Sequence, residues 1–310
     1  MKRFRVIFMG TPDFAVPCLA RLLDISNVIG VVTQPDKPKG RGQKLLPPPV
    51  KIFAEAHGIE VYQPERVKRP DFVNILQELA PDLIVVVAFG QILSKDILSL
   101  PPLGCVNVHA SLLPRYRGAA PMQWAIVRGE TETGITTMFM DEGLDTGDML
   151  LQEKLPISQT MTTAELHDAM MQLGADVLEK TILSLAAGTL ERIPQDETHS
   201  TYAPLLSKET GCIDWQKNAR EIHDLVRGLN SWPGAYSILN GQKFKIWRTR
   251  PAEGTANPGE IVSVTPQGLL VGTGKGMLEI LELQAPNKKK MKASDYVRGH
   301  GLHLPARFDA

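Results

Sequence analysis

Cys105-Val106-Asn107-Val108-His109-Ala110-Ser111-Leu112-Leu113-Pro114-Arg115-Tyr116-Arg117-Gly118 is the stretch around which the chain is organised. Its first half alternates as a strand does, which puts Asn107 and His109 on one side of a sheet. Ser-Leu-Leu-Pro cannot continue a central strand, because proline offers no backbone donor. An amide and an imidazole therefore stand side by side where a strand stops. In an open α/β sheet the crevice outside the carboxyl ends of the strands is where ligands bind.

The residues before this stretch read as strand–helix–strand units. An apolar strand over 4–9 turns at Gly10-Thr11-Pro12-Asp13 into a helix from Phe14 to about Ile25, and a strand over 28–33 follows. Only Gly10 stands where a dinucleotide fingerprint needs three glycines, so NAD binding is disfavoured. Residues 34–49 carry Lys37, Lys39, Arg41 and Lys44 among many prolines and glycines, and form a long basic loop. Further on come a helix over 50–57, a short strand at 61–62 and a helix over 71–79. The run Leu83-Ile84-Val85-Val86-Val87-Ala88 has the character of a strand buried on both faces, the habit of a parallel sheet.

After Gly118 a helix spans about 120–128. Strands near 135–140 and 149–154 flank Asp141-Glu142-Gly143-Leu144-Asp145-Thr146-Gly147-Asp148, four carboxylates in eight residues. Thr162-x-x-Glu165 is a capping box for a long helix ending at Gly188. Residues 190–206 lack periodicity and read as a linker. A helix over 218–229 then leads into five short strands, with Asn240-Gly241 as a hairpin turn. Together these elements indicate an α/β protein. A mostly parallel, Rossmann-like sheet occupies residues 1–189 and a small OB-like β-barrel occupies 207–310.

A length of 310 residues accords with two domains. Hydrophobic content of 43% and charged content of 22% are those of an ordinary globular protein. No apolar run reaches the length of a membrane span, and the apolar stretch before Gly10 is too short for a signal peptide. Cys18, Cys105 and Cys212 are odd in number and widely spaced, which argues against disulfides or a zinc site and for a reducing cytoplasm. The zero net charge conceals an asymmetry: residues 1–204 carry 19 basic against 24 acidic residues, and 205–310 carry 15 against 10. A basic rear half suits a polyanionic partner, though so modest an excess also arises by chance.

Asn107, His109 and Asp145 make a candidate chemical set. An amide can stabilise a developing oxyanion, histidine moves protons near neutrality, and a carboxylate can orient the ring or take a proton. Cys105 lies mid-strand and Ser111 lacks a nucleophile elbow, so direct transfer to an external amine or alcohol fits better than a covalent intermediate. The plainer alternatives are a hydrogen-bonded structural histidine, and a solvated turn or weak cation site at 141–148, whose spacing does not match a calcium loop.

These motifs, with Gly10-Thr11-Pro12-Asp13-Phe14-Ala15 and Gln34-Pro35-Asp36, resemble the methionyl-tRNA formyltransferases over nearly the whole chain. Ser-Leu-Leu-Pro and Leu-Asp-Thr-Gly-Asp mark folate-dependent formyltransferases as a group. The basic loop and basic rear domain separate the tRNA enzymes from their relatives. The resemblance implies a formyltransferase domain, a linker and an OB-like tRNA-binding domain. It implies formyl transfer from 10-formyltetrahydrofolate to the α-amino group of initiator methionyl-tRNA; the Cys and His spacing argues for no metal, and the absence of coiled-coil or apolar tail segments favours a monomer. Carried over by position, Asn107, His109 and Asp145 are catalytic, with Asn107 and His109 stabilising the oxyanion and Asp145 fixing His109 and helping to remove the amine proton, and Ser111, Leu112, Leu113 and Pro114 line the folate. Arg41, within the basic loop, reaches the acceptor stem and Lys44 of the same loop also binds the tRNA, while Lys243, Lys245, Arg248, Lys288, Lys289 and Lys290 hold the tRNA backbone. The rivals are a formyltransferase acting on a nucleotide sugar or small amine, and a non-catalytic tRNA-binding protein.

Overall fold

The computed structural model describes residues 3–39, 44–301 and 304–309. In chain order the elements of its first half are β1 (Arg5–Gly10), α1 (Val16–Ile25), β2 (Asn27–Val32), β3 (Lys37–Lys39), β4 (Lys44–Leu46), α2 (Pro49–Ala56), β5 (Val61–Tyr62), α3 (Pro70–Leu79), β6 (Leu83–Val87), α4 (Lys95–Leu98), β7 (Cys105–His109), β8 (Arg117–Gly118), α5 (Pro121–Val127), β9 (Glu132–Phe139) and β10 (Met149–Pro156). Then follow α6 (Thr163–Ala187), β11 (Tyr202–Ala203), α7 (Ala219–Gly228), β12 (Ala235–Leu239), β13 (Gln242–Ala252), β14 (Glu260–Val264), β15 (Leu269–Gly272), β16 (Met277–Gln284), β17 (Met291–Lys292), α8 (Ala293–His300) and β18 (Ala306–Asp309). The chain divides into two compact units interleaved in sequence. One comprises residues 1–118, 133–155 and 167–202, and the other 119–132, 156–166 and 203–310.

The first unit is built on a seven-stranded sheet in the order β10-β9-β7-β6-β1-β2-β5. Strands β7, β6, β1, β2 and β5 are parallel, and β9 runs antiparallel to β7. Every residue of β6 is buried. Ile84 and Val86 join Phe72, Val73 and Leu76 of α3 in one apolar cluster, while Val85 and Val87, two-residue alternates, are buried on the opposite face. This is why a run of valines without alternation is a strand here: both faces are covered by other elements. Each fully buried valine contributes on the order of 1.5–3 kcal/mol.

The strand order reverses at β1, which has β2 on one side and β6 on the other, so a crevice opens at their carboxyl ends. The Thr11 hydroxyl and the Gln34 side-chain amide both donate to the Phe89 carbonyl, at 2.9 and 3.2 Å, and cross-tie the three strand ends. Residues 34–49, expected as a loop, begin and end with the small hairpin β3–β4. Its stem is held by Lys51, whose ammonium meets both Asp36 oxygens at 3.0 Å and Gln63 at 2.8 Å. α6 begins at its capping box, with Thr162 N donating to Glu165 Oε2 at 2.8 Å, and ends before Gly188. No described helix is long and apolar enough to cross a membrane.

The second unit is a closed barrel. Its strands follow the order β13-β12-β18-β14-β15-β16, with β16 returning to pair with β13 and β17 appended to β16. The five strands expected from sequence become six, because β18 slots between β12 and β14. Ala306 and Phe308 pack on the core while Arg307 and Asp309 lie exposed, but four alternating residues are too short a run to single out in the sequence. The Asn240-Gly241 hairpin forms as expected: both residues have positive φ, 52° and 70°, the backbone that a tight two-residue turn between right-twisted strands requires. Trp215, wholly buried, stacks on Phe308 at 5.3 Å and donates its indole N–H to Ser237. α7 starts with a reciprocal Asn218–Glu221 capping box.

Candidate active site

β7 ends at His109, and the chain turns at once. The Ser111 hydroxyl donates back to the Arg115 carbonyl at 2.6 Å. Thr136, opposite His109 on β9, donates to the Ser111 carbonyl at 2.7 Å and accepts from Leu113 N at 3.1 Å. Gln152 caps the Leu113 carbonyl at 2.8 Å. The Ser-Leu-Leu-Pro turn is thus stitched to the neighbouring hairpin by side chains rather than by a sheet ladder. Ser111 and Leu113 are buried with these groups spent, whereas Leu112 and Pro114 are half-buried.

The turn returns Tyr116 to the strand end. Its carbonyl lies 3.0 Å from His109 Nε2. A carbonyl only accepts, so Nε2 carries the proton and donates. His109 Nδ1 then faces Asp145 Oδ2 at 3.6 Å, with the two side chains 7% and 15% exposed. The neutral ring presents a lone pair at Nδ1, and its protonated form presents a charged donor there. Stabilisation of an oxyanion by His109 therefore requires the imidazolium, a condition that the sequence alone does not reveal. Asn107, two residues earlier on the same face, is half-buried. Among the described residues its side-chain amide has no hydrogen-bond partner, which leaves both N–H groups for a ligand.

The 141–148 loop delivers Asp145 and spends its other carboxylates elsewhere. Asp141 Oδ1 accepts from Gly143 N and from the Thr146 hydroxyl, Glu142 pairs with Lys95 at 3.1 Å, and Asp148 pairs with Arg192 at 2.9 Å. Asp145 alone turns to the imidazole, its Oδ2 also accepting from Gly118 N at 2.7 Å. Gly147 makes the tight return possible: a Cβ there would lie 1.8 Å from the Phe139 carbonyl oxygen. No three His, Cys, Asp or Glu side chains converge among the described residues. Cys105 is buried, and burial pushes its thiol up to about 12, the wrong direction for a nucleophile.

Two of the residues that hold this set escape sequence reading. Arg117 lies in the opening stretch with no role assigned to it there, and Gln195 lies in no motif, yet Arg117 is fully buried and Gln195 donates to the carbonyls of Asp145 and Gly147, both at 2.8 Å. A surface groove of about 810 Å³, lined by Lys68, Asn74, Gln77, Asp82 and Asp96 among others, opens where β6 begins rather than where β7 ends. It contains none of the candidate residues.

The basic residues of the second unit fall on one region of the barrel. Lys243, Lys245 and Trp247 alternate with buried Phe244 and Ile246 on β13. Lys245 stands opposite Gln284, whose side chain donates to the Lys288 carbonyl, so the 285–290 turn adjoins that face. A bulge after Ile246 exposes Arg248. The Lys243 ammonium lies 3.2 Å from the centre of the Tyr236 ring, and Lys245 is 5.3 Å from that of Trp247. Lys288 and Lys289 are exposed, while Lys290 pairs with Glu282 at 2.7 Å. Arg41 and the Lys44 side chain lie outside the described residues.

A Rossmann-like unit with an amide, an imidazole and a carboxylate at one strand end, joined to a closed barrel, defines a group-transfer protein of the formyltransferase class. The family model described as formyl transferase matches residues 2–182, and that of the formyl transferase C-terminal domain matches residues 205–301. The chain is 56% identical over 303 residues to a protein of Ruminiclostridium cellulolyticum named methionyl-tRNA formyltransferase, covering 96% of this chain and 97% of the relative. It is 55% identical over 305 residues to the protein of that name from Trichlorobacter lovleyi, covering 98% and 96%. The chain belongs to the methionyl-tRNA formyltransferase family. Solved structures share its fold at lower identity. A sugar 3N-formyltransferase, WlaRD, matches 93% of this chain and 100% of its own at 22% identity and TM-score 0.68. HypX of Aquifex aeolicus, in complex with tetrahydrofolic acid, matches 96% of this chain and 47% of its own at 17% identity and TM-score 0.64.

Proposed function

We propose that this protein transfers the formyl group of 10-formyltetrahydrofolate to the α-amino group of methionyl initiator tRNA, forming the formylated aminoacyl-tRNA that starts translation. The observation that carries this reading is the unspent Asn107 amide beside the His109–Asp145 pair at one strand end, in a chain more than 50% identical throughout to enzymes of that name. The methionyl nitrogen attacks the formyl carbon, and negative charge develops on the formyl oxygen. Asn107 donates to that oxygen. His109 Nδ1 takes the proton that the attacking amine sheds, and the Asp145 carboxylate stabilises the resulting imidazolium. As the carbon–N10 bond breaks, the imidazolium gives its proton to N10, which leaves as tetrahydrofolate. Proton count and charge close over the cycle.

Leu112 and Pro114 supply the half-buried surface of the Ser111–Pro114 turn against the folate. Lys243, Lys245, Arg248, Lys288 and Lys289, interleaved with Tyr236 and Trp247, meet the tRNA phosphates, with Lys290 and the loop residues Arg41 and Lys44 adding to the grip. The reading carries with it a cytoplasmic, monomeric enzyme. The test is formyl uptake from 10-formyltetrahydrofolate by methionyl-tRNA, with uncharged tRNA, free methionine and an amino sugar nucleotide as control acceptors. Uptake by the sugar alone would overturn it. Asn107→Ala should lower turnover on the order of 100-fold with tRNA affinity unchanged, and a turnover near normal would remove the oxyanion role.

A further inference from the structure

We propose that Gln195, held in place by Arg117, is the positioning residue that sets the Asp145 carboxylate against His109; this rests on the roles given above to Asn107, His109 and Asp145. Asp145 is a non-glycine residue at φ 55°, a left-handed backbone conformation that side chains rarely adopt and that neighbouring contacts must hold. Gln195 Nε2 is what bridges the turn from behind, donating at 2.8 Å to the carbonyls of both Asp145 and Gly147. The 192–195 segment is itself fastened alongside. Ile193 and Met149 exchange backbone hydrogen bonds at 2.9 Å, and Arg192 pairs with Asp148.

The orientation of the Gln195 amide follows from its other side. Its Oε1 accepts from Arg117 Nε at 3.0 Å and from Nη2 at 2.8 Å. A guanidinium has only donors and a carbonyl only accepts, so a flipped amide would fail on both sides at once. Arg117 is in turn locked by Glu197, whose two carboxylate oxygens receive Nη1 and Nη2 at 2.9 and 2.8 Å. Those hydrogen bonds hold the guanidinium pKa above its ordinary range and the Glu197 carboxyl below its own.

Three consecutive residues thereby serve both partners of the pair. The Tyr116 carbonyl fixes the imidazole, Gly118 N fixes the carboxylate, and the Arg117 side chain between them fixes the glutamine that holds the loop. An arginine with no exposed surface is costly to bury. Its two arms end on the strut that carries Asp145 and on the carboxylate that braces it.

Gln195→Glu separates positioning from mere packing. The new carboxylate keeps both Arg117 hydrogen bonds but turns an acceptor towards the Asp145 and Gly147 carbonyls. Circular dichroism and melting should stay as in the parent, while kcat falls ~10- to 100-fold, the loss that a displacement near 1 Å produces, with KM for methionyl-tRNA and for 10-formyltetrahydrofolate unchanged. The 15N chemical shift of His109 Nδ1 by NMR should move in Gln195→Glu and in Asp145→Asn alike, while that of His223 in the other unit stays put. Gln195→Met, which removes the donor without adding charge, should lose kcat alike and serves if Gln195→Glu does not fold. Should neither fold, Glu197→Gln, changed at a side chain that is largely exposed, should lower kcat several-fold at constant KM. A folded variant of Gln195 with the parent kcat, or one losing kcat only as its folded fraction falls, overturns the proposal. If Asp145→Asn also turns over normally, the reading of the site itself has failed; if Asp145→Asn is crippled and Gln195→Glu is not, only the strut has.

Discussion

Replacing Asp145 by Asn removes a charge while sparing the fold, because the asparagine carbonyl can still accept from Gly118 N, which the aspartate holds at 2.7 Å. What is lost is the anion 3.6 Å from His109 Nδ1. At an effective dielectric near 20, suited to a pair this little exposed, the attraction between the carboxylate and an imidazolium at that distance is about 4.6 kcal/mol. If the proton is half transferred at the transition state, roughly half of this, about 2.3 kcal/mol, appears in the barrier, or about 50-fold in rate. The oxygen that accepts from Gly118 is the same atom that faces Nδ1, so an asparagine that keeps this hydrogen bond keeps its oxygen towards the ring and loses only the charge. The expectation is therefore a loss of about 50-fold. The assay is single-turnover formation of formyl-methionyl-tRNA by rapid quench at saturating methionyl-tRNA and 10-formyltetrahydrofolate, with binding of each measured separately. A rate within about threefold of the parent would refute a charge-stabilised proton transfer at Nδ1.

Salt dependence tests the barrel face: each phosphate contact contributes roughly 0.7–0.9 to the slope of log affinity against log salt. The Lys288→Ala/Lys289→Ala double variant should flatten that slope by ~1.5, and Lys290→Ala by less, because Lys290 is already paired with Glu282. An unchanged slope in the double variant would detach those lysines from the RNA. His223 should give the second unit a sensitivity to acid. Its Nε2 donates to the Gln159 carbonyl, Nδ1 meets the Thr249 hydroxyl, and burial holds its pKa below the ordinary 6.5. The unfolded state therefore takes up the proton first, so the stability that neutral His223 contributes is complete above about 6.5 and declines as the pH falls below it. Melting temperatures measured from pH 8 to 5 should drop on the acid side, and less steeply in His223→Gln; parallel curves would assign the acid sensitivity elsewhere.

Much of this molecule is legible in its residues, each feature for a local reason. The valines of 83–88 announce a strand covered on both sides, Asn240-Gly241 dictates a hairpin by its tolerance of positive φ, and Thr162-x-x-Glu165 marks a helix start through a three-residue hydrogen-bond loop. Asn107 and His109 share a face because strand geometry has a period of two. What stayed hidden is non-local. β18 alternates over only four residues, too few to announce a strand, and its place is set by the gap it fills between β12 and β14. Residues 193–197 have no periodicity, yet they bring Gln195 against a turn some 50 residues earlier in the chain and seat Glu197 on Arg117. The sequence by itself determined which groups are available: an amide, an imidazole and four neighbouring carboxylates. Folding assigns Nδ1 as the nitrogen that meets Asp145, and it spends the other three carboxylates of the loop on Gly143, Thr146, Lys95 and Arg192. Both outcomes rest on hydrogen bonds between distant segments, from Gly118 and Gln195 to Asp145 and from Nε2 to the Tyr116 carbonyl, each of which depends on where the backbone has come to rest.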